Sequence, residues 1–257
     1  MIETTTQGDI AVITMKHGKA NALDVAFCTA LADTFETLKA SPARAVVLTG
    51  EGGIFSAGVD LLQADKGGPD YIRRFLPTLH RLYETIFFFP KPVVAAMNGH
   101  AIAGGCVLAC VTDRKIMASG SGRVGVTELL VGLPFPALAF EILRHVVVNA
   151  RLEEVLFTGT TYEPEAARER GFVDEVVAPG TVFERAMAVA ESFAAISPPA
   201  FMQTKKQSRQ PVADHFRREG AAVEAVVTDI WTAPEAGRTI AAYVAKTLRK
   251  KWSCAKT

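Results

Sequence analysis

Two glycine-rich segments decide how this chain is read: KPVVAAMNGHAIAGGC, residues 91–106, and FSAGVDL, residues 55–61. In the first, Pro92–Met97 is an unbroken apolar run, the pattern of a strand buried on both faces. It stops at Asn98-Gly99, and Gly104-Gly105 then opens a helical stretch, Gly104–Cys110. The second segment follows another such strand, Ala45–Thr49. Loops at strand ends are where α/β sheets hold ligands, and glycine lets the backbone come close to a ligand. The helix behind Gly104 adds free N–H groups and a dipole that favour a developing negative charge. Each loop is suited to give one N–H to a shared oxyanion. Two ordinary tight turns have the same spacing.

Outward from these loops the chain alternates β and α. Asp9–Met15 reads as a short strand, and Asp24–Lys39 as a helix with Leu23, Phe27, Leu31, Phe35 and Leu38 on one side. Asp70–Phe89 reads as a helix stopped by Pro90 and Pro92, with short strands at Arg114–Ala118, Arg123–Val126 and Phe172–Val177. Beyond Pro198 no strand is expected, and helices are predicted near Pro199–Ser208, Ala213–Thr228 and Pro234–Lys250. The organisation is an α/β core over residues 1–197 and a helical region over 198–257. Ile230, Trp231, Ile240, Tyr243, Val244 and Leu248 are more apolar residues than a solvated terminal helix carries. The tail must bury that stripe on the core or on another subunit.

Composition narrows the function classes. With 257 residues, 49% hydrophobic and 21% charged, the chain is globular and not disordered. A net charge of +1 argues against nucleic acid as a partner. The four cysteines, Cys28, Cys106, Cys110 and Cys254, form no CxxC pair and read as thiols of a reducing, cytoplasmic compartment. The start, MIETTTQGDI, lacks the basic and apolar regions of a signal peptide. Val93–Val111 is 19 residues without formal charge, but Asn98, His100 and three glycines make it strand, turn and helix, not a membrane span. Gly120–Gly125 matches G-x-G-x-x-G, yet no helix opens after it and no acidic residue follows at about 20 positions, so it reads as a tight turn. The five histidines are scattered and no metal site is expected; His100 reads as structural. Ser56 lacks the G-x-S-x-G spacing of a nucleophile elbow.

FSAGVDL resembles the F-x-A-G-x-D-[LI] loop of the crotonase family, also called the enoyl-CoA hydratase/isomerase family. Residues 91–106 resemble its K-P-x-[VI]-A-A-x-x-G-x-x-x-G-G-[GC] segment. The likeness continues through Thr112-Asp113, Gly125 to Gly132, GFVDE at 171–175, SPPAFMQTK at 197–205 and Pro234–Lys246, covering nearly the whole chain. The resemblance implies an α/β crotonase-like spiral of ββα turns with a C-terminal helical trimerisation region, assembled as a homotrimer or a dimer of trimers. It implies an acyl-CoA thioester as substrate, coenzyme A being part of that substrate and no other cofactor being needed. The backbone N–H groups of Val59 and Gly104 would form the oxyanion hole. Lys19, Ala20 and Ala22 would line the CoA cleft; Ala57, Gly58, Asp60, Leu61 and Gly105 would shape the loops around the substrate. Leu133 and Phe135 would border the acyl chain, and Tyr243 and Lys246 would reach the CoA of a neighbouring subunit.

Family hydratases carry two glutamates that grip one water. The first of these places is Val107 here, and the second is Glu128. AGGCV at 103–107 with GVTELLVGL at 125–133 resembles the single-glutamate Δ3,Δ2-enoyl-CoA isomerases. Shifting a double bond takes a proton off C2 and puts one on C4, and one carboxylate lying over both carbons does both. Burial among Val124, Val126, Leu129, Leu130 and Val131 would raise the Glu128 pKa and strengthen it as a base. A surface glutamate at a strand end is the alternative. The competing functions are a hydratase using Glu128 alone, a CoA-ester-binding or RNA-binding member without catalysis, and thioester hydrolysis or dehalogenation. The last needs an added Asp or His, for which His100 is the only nearby candidate.

Overall fold

The computed structural model describes residues 1–120 and 122–248. Ile2–Gln7 (β1) and Ile10–Met15 (β2) pair as an antiparallel hairpin. Val25–Lys39 (α1) starts where the Asp24 carboxylate accepts from the Phe27 amide at 2.7 Å, which satisfies a free N–H of the first turn. Its Phe27, Leu31 and Phe35 are fully buried.

One unit then repeats three times: a strand of the large sheet, a short strand of a second sheet, and a helical segment. The first is Ala45–Gly50 (β3), Ile54–Ser56 (β4) and Leu61–Phe87 (α2). The second is Val93–Met97 (β5), His100–Ile102 (β6) and Gly104–Cys110 (α3). The third is Arg114–Ala118 (β7), Val124–Gly125 (β8) and a 3₁₀ turn, Glu128–Val131. Ala137–Val146 (α4), Leu152–Thr158 (α5), Pro164–Glu169 (α6), Glu175–Val177 (β9), Val182–Ala194 (α7), Pro198–Thr232 (α8) and Pro234–Tyr243 (α9) follow. The large sheet runs β1-β2-β3-β5-β7-β9 and the small one β4-β6-β8, all parallel except the first hairpin.

The apolar strand runs bury both faces of the large sheet, as their composition requires. Along β3, Val46 and Leu48 join the main core with α1, α2 and α3, while Ala45 and Val47 pack beneath α7. The tail is fastened by charge. Asp113 accepts from Lys205 at 2.7 Å and from Arg209 at 2.8 Å, and the Arg209 guanidinium lies over the Phe87 ring. Burial pushes Lys205 down to about 8 while Asp113 opposes that shift. Losing Asp113 strands two buried cations, so this cluster specifies where α8 docks.

Four readings change. β1, a run of threonines without an apolar face, is not legible in the sequence and forms as an edge strand. α2 begins at Leu61 and not near Asp70, because Asp60 caps it; the chain kinks at Gly68 (φ 57°, ψ −154°) ahead of Pro69. The separate helices expected at 199–208 and 213–228 are one helix that carries Pro211 inside. Leu129 and Leu130, expected among the residues that bury Glu128, are exposed, while Glu128 at the start of the 3₁₀ turn is buried. Of the helix expected at Pro234–Lys250, residues 249–250 lie outside the described residues, as does Cys254. Among the described residues no helix is long and apolar enough to cross a membrane.

Candidate active site

The three strands of the small sheet are parallel, so their C-terminal ends lie together. From β4 the chain leaves through Ala57–Asp60, from β6 through Ala103–Gly105, and from β8 through Val126–Glu128. Parallel strands thus bring to one edge the two glycine loops and the glutamate.

The two loops touch. A Cβ on Gly58, whose φ is +81°, would lie 2.9 Å from the Gly104 amide nitrogen, and one on Gly105 would lie 2.2 Å from the Ser56 carbonyl. No side chain fits at either place. The first loop is fixed by the 19–23 segment: Ala57 donates to the Ala20 carbonyl at 2.9 Å, Leu23 to Gly58 at 2.8 Å, and Asp60 to Leu23 at 3.0 Å. This pairing turns the Val59 amide away from the Leu23 strand. Among the described residues, neither the Val59 nor the Gly104 N–H finds an acceptor. Asn21, at φ +46°, locks the back of the loop by donating to the Ile54 and Phe55 carbonyls. Ser56 is buried and donates to the Asn21 carbonyl, which is a structural role and not that of a nucleophile.

Glu128 is 7% exposed, and its Oε2 is buried with no hydrogen-bond partner among the described residues. Loss of solvation pushes its pKa up to about 7; the amides of Glu128 and Thr127 pull weakly the other way. A carboxyl tuned to neutral pH is suited to take up and release a proton. The strand that leads to it is tied to the Ala103–Gly105 loop: Ala103 donates to the Gly125 carbonyl at 2.8 Å, next to the β6–β8 pairing of Ile102 with Gly125. Val107, the other position of interest, is 1% exposed and supplies only hydrocarbon.

Around this edge the remaining sequence-derived residues divide. Lys19, Ala20, Ala22, Ala57, Gly58, Asp60 and Leu61 all lie on the two segments joined at Leu23 and Val59, with Gly105 against them. Lys19 and Ala57 are exposed. Asp60 is committed to capping α2. Leu133 and Phe135 are buried just past the glutamate turn. Tyr243, the last residue of α9, and Lys246, just past it, are exposed; α9 packs against α2 and the Glu128–Val131 turn of its own chain. His100 is exposed, and its Nδ1 accepts from the Arg123 amide, so it is a loop brace. Among the described residues no three His, Cys, Asp or Glu side chains gather in the manner of a metal site. Sequence reasoning passed over Asn21, Ala103 and Tyr83. Asn tolerates positive φ, which was the available signal for the first; the other two look like core residues.

Comparison with known proteins agrees with this architecture. The enoyl-CoA hydratase/isomerase family matches residues 5–253, and the chain belongs to that family. The mitochondrial enoyl-CoA delta isomerase 1 of Rattus norvegicus is 28% identical over 254 residues, 98% of this chain and 88% of that protein. The crystal structure of human mitochondrial delta3-delta2-enoyl-CoA isomerase superposes with a TM-score of 0.92 at 25% identity, covering 97% of this chain and 99% of the other. An enoyl-CoA hydratase from Mycobacterium ulcerans superposes at 0.81 with 29% identity, over 87% and 98% of the two chains. The fold is the crotonase fold with a helical C-terminal region, and the protein is an enzyme of a family that holds both isomerases and hydratases.

Proposed function

We propose that the protein shifts the double bond of a 3-enoyl-CoA to give the 2-enoyl-CoA. The observation that carries this reading is the buried carboxylate Glu128 at the strand edge, with one unpartnered oxygen, where the second position holds Val107. The substrate thioester oxygen accepts from the Val59 and Gly104 amides, which makes the C2 proton acidic. Glu128 takes that proton, and the electron pair left on C2 delocalises onto the thioester oxygen as an enolate. The enolate collapses to the C2–C3 double bond while the former C3–C4 π pair takes a proton at C4 from Glu128. No proton is gained or lost overall, and no cofactor is required beyond the CoA of the substrate. Hydration must hold and deprotonate a water, and the valine at 107 offers nothing to a second hydrogen bond.

The test is turnover of 3-enoyl-CoA and 2-enoyl-CoA side by side by the purified protein. Isomerisation is expected to dominate; faster hydration of 2-enoyl-CoA overturns the reading. A base with a pKa of about 7 must be ionised to act. The isomerisation kcat/KM is expected to rise about tenfold per pH unit below that value and to level off above it. A flat profile between pH 5 and pH 9 excludes Glu128 as the base.

The same reading includes assembly as a homotrimer or a dimer of trimers. An apolar groove of about 670 Å³ lies between the Glu128–Val131 turn, α4, α5 and α8, with Leu129, Phe140, Phe157, Val226 and Ile230 among its lining. Phe157 is 66% and Val226 58% exposed, more apolar surface than a lone chain usually leaves in one place. Light scattering is expected to return three or six chain masses; a single chain mass at every dilution removes the idea.

A further inference from the structure

Beside the oxyanion loop stands a buried polar group that the chemistry above does not use. Tyr83, on α2, is 1% exposed, and its hydroxyl donates to the Gly104 carbonyl at 2.8 Å. The residue before Gly104 is Ala103, with φ 50° and ψ −128°. That conformation is unfavourable for a residue with a Cβ and persists only where its surroundings impose it. The strain sits one bond from the amide assigned to the oxyanion.

Three sets of contacts impose it. Ala103 donates to the Gly125 carbonyl at 2.8 Å, on the strand that leads to Glu128. The Ala103 carbonyl accepts from Cys106 at 2.8 Å and from Val107 at 3.2 Å, within the first turn of α3. The third is the Tyr83 hydroxyl, the one side chain among the described residues that hydrogen-bonds to Gly104. The fit is tight, since a Cβ on Gly104 would lie 2.9 Å from that hydroxyl oxygen. Burial raises the phenol well above its ordinary pKa, with the charge of Glu128 adding to the effect, so it remains a donor throughout the working range.

We propose that Tyr83 is a positioning residue whose hydroxyl locks the strained Ala103–Gly104 turn and so aims the Gly104 amide at the thioester oxygen. The proposal rests on the reading of Val59 and Gly104 as the oxyanion donors. Without the hydroxyl, Ala103 relaxes toward ordinary backbone angles and carries the Gly104 amide with it. The loss falls on the step in which charge develops on oxygen, not on CoA binding.

The experiment compares wild type with Tyr83→Phe, which keeps the ring and removes the donor. The probe is acetoacetyl-CoA, whose enolate absorbs in the near ultraviolet and reports how strongly the site stabilises an oxyanion. Wild type is expected to show the enolate band; a wild type that binds the probe without it overturns the oxyanion reading itself. With the band present in wild type, Tyr83→Phe is expected to lose about tenfold in kcat, with KM within about twofold, and to show a weaker band. A Phe variant with unchanged kcat and band overturns the Tyr83 proposal alone. If the Phe variant does not fold, 3-fluorotyrosine and 3,5-difluorotyrosine at position 83 keep the ring and grade the donor. A band that strengthens with hydroxyl acidity supports the proposal, and a band indifferent to it overturns it, because simple core filling does not respond to donor strength.

Discussion

Glu128→Gln is expected to lower isomerisation by about 10²–10⁴ in kcat, the usual worth of a general base. The amide keeps the size and polarity of the side chain but takes no proton at neutral pH. Affinity for a CoA ester is expected to stay, since the loops at 19–23 and 57–61 do not depend on the carboxylate. Turnover and binding measured on the same preparation separate the two effects. A Gln variant that isomerises at the wild-type rate removes Glu128 from the mechanism. The same substitution has a stability signature. The carboxyl ordinarily titrates at 4.5 and is raised to about 7 in the fold. Folding therefore favours the protonated form. Stability is fully present below pH 4.5 and is lost as pH rises through about 7, by a few kcal/mol in order of magnitude. The Gln variant, which is neutral throughout, is expected to melt higher than wild type at pH 8 and to match it near pH 4. Equal melting temperatures at pH 8 contradict the buried, unpartnered state of the carboxylate.

Gly104→Pro is expected to cost about 10²–10³ in kcat, the usual loss on deleting one oxyanion donor. Gly104 is the first residue of α3, the position at which a helix accepts proline, because that N–H has no partner within the helix. The helix therefore has reason to survive. The Tyr83 hydroxyl must shift to admit the ring, since it lies 2.9 Å from a Cβ position there. A melting curve is run beside the assay. A folded variant with wild-type kcat shows that Gly104 donates to nothing in the transition state.

The sequence carried the large pieces. The strands at 45–50 and 93–97 were legible because burial on both faces demands unbroken apolar runs. α3 was placed from Gly104 to Cys110 by its glycine pair. The small sheet was harder. The third strand was expected at Arg123–Val126, but Ile54–Ser56 and His100–Ile102 are only three residues long, below the length at which alternation shows. Their importance is positional, and only pairing between distant segments reveals it. Glu128 was legible as a buried carboxyl, but not its neighbours: Leu129 and Leu130, expected to help bury it, face solvent instead. Tyr83 lies on the same apolar face of α2 as Leu79, Leu82 and Ile86, so in sequence it is one more core aromatic.

The cysteines give the molecule a clock. Cys28, Cys106 and Cys110 are fully buried, and burial pushes the Cys28 and Cys106 thiols well up, so neither is a nucleophile in the closed fold. A small alkylating reagent reaches Cys106 only when α3 lifts, and that residue is two positions from Gly104. The rate at which it is labelled therefore counts how often the Ala103–Gly105 loop comes apart, without any substrate present. Saturating the site with a CoA ester would slow that clock by as much as the ligand holds the loop shut.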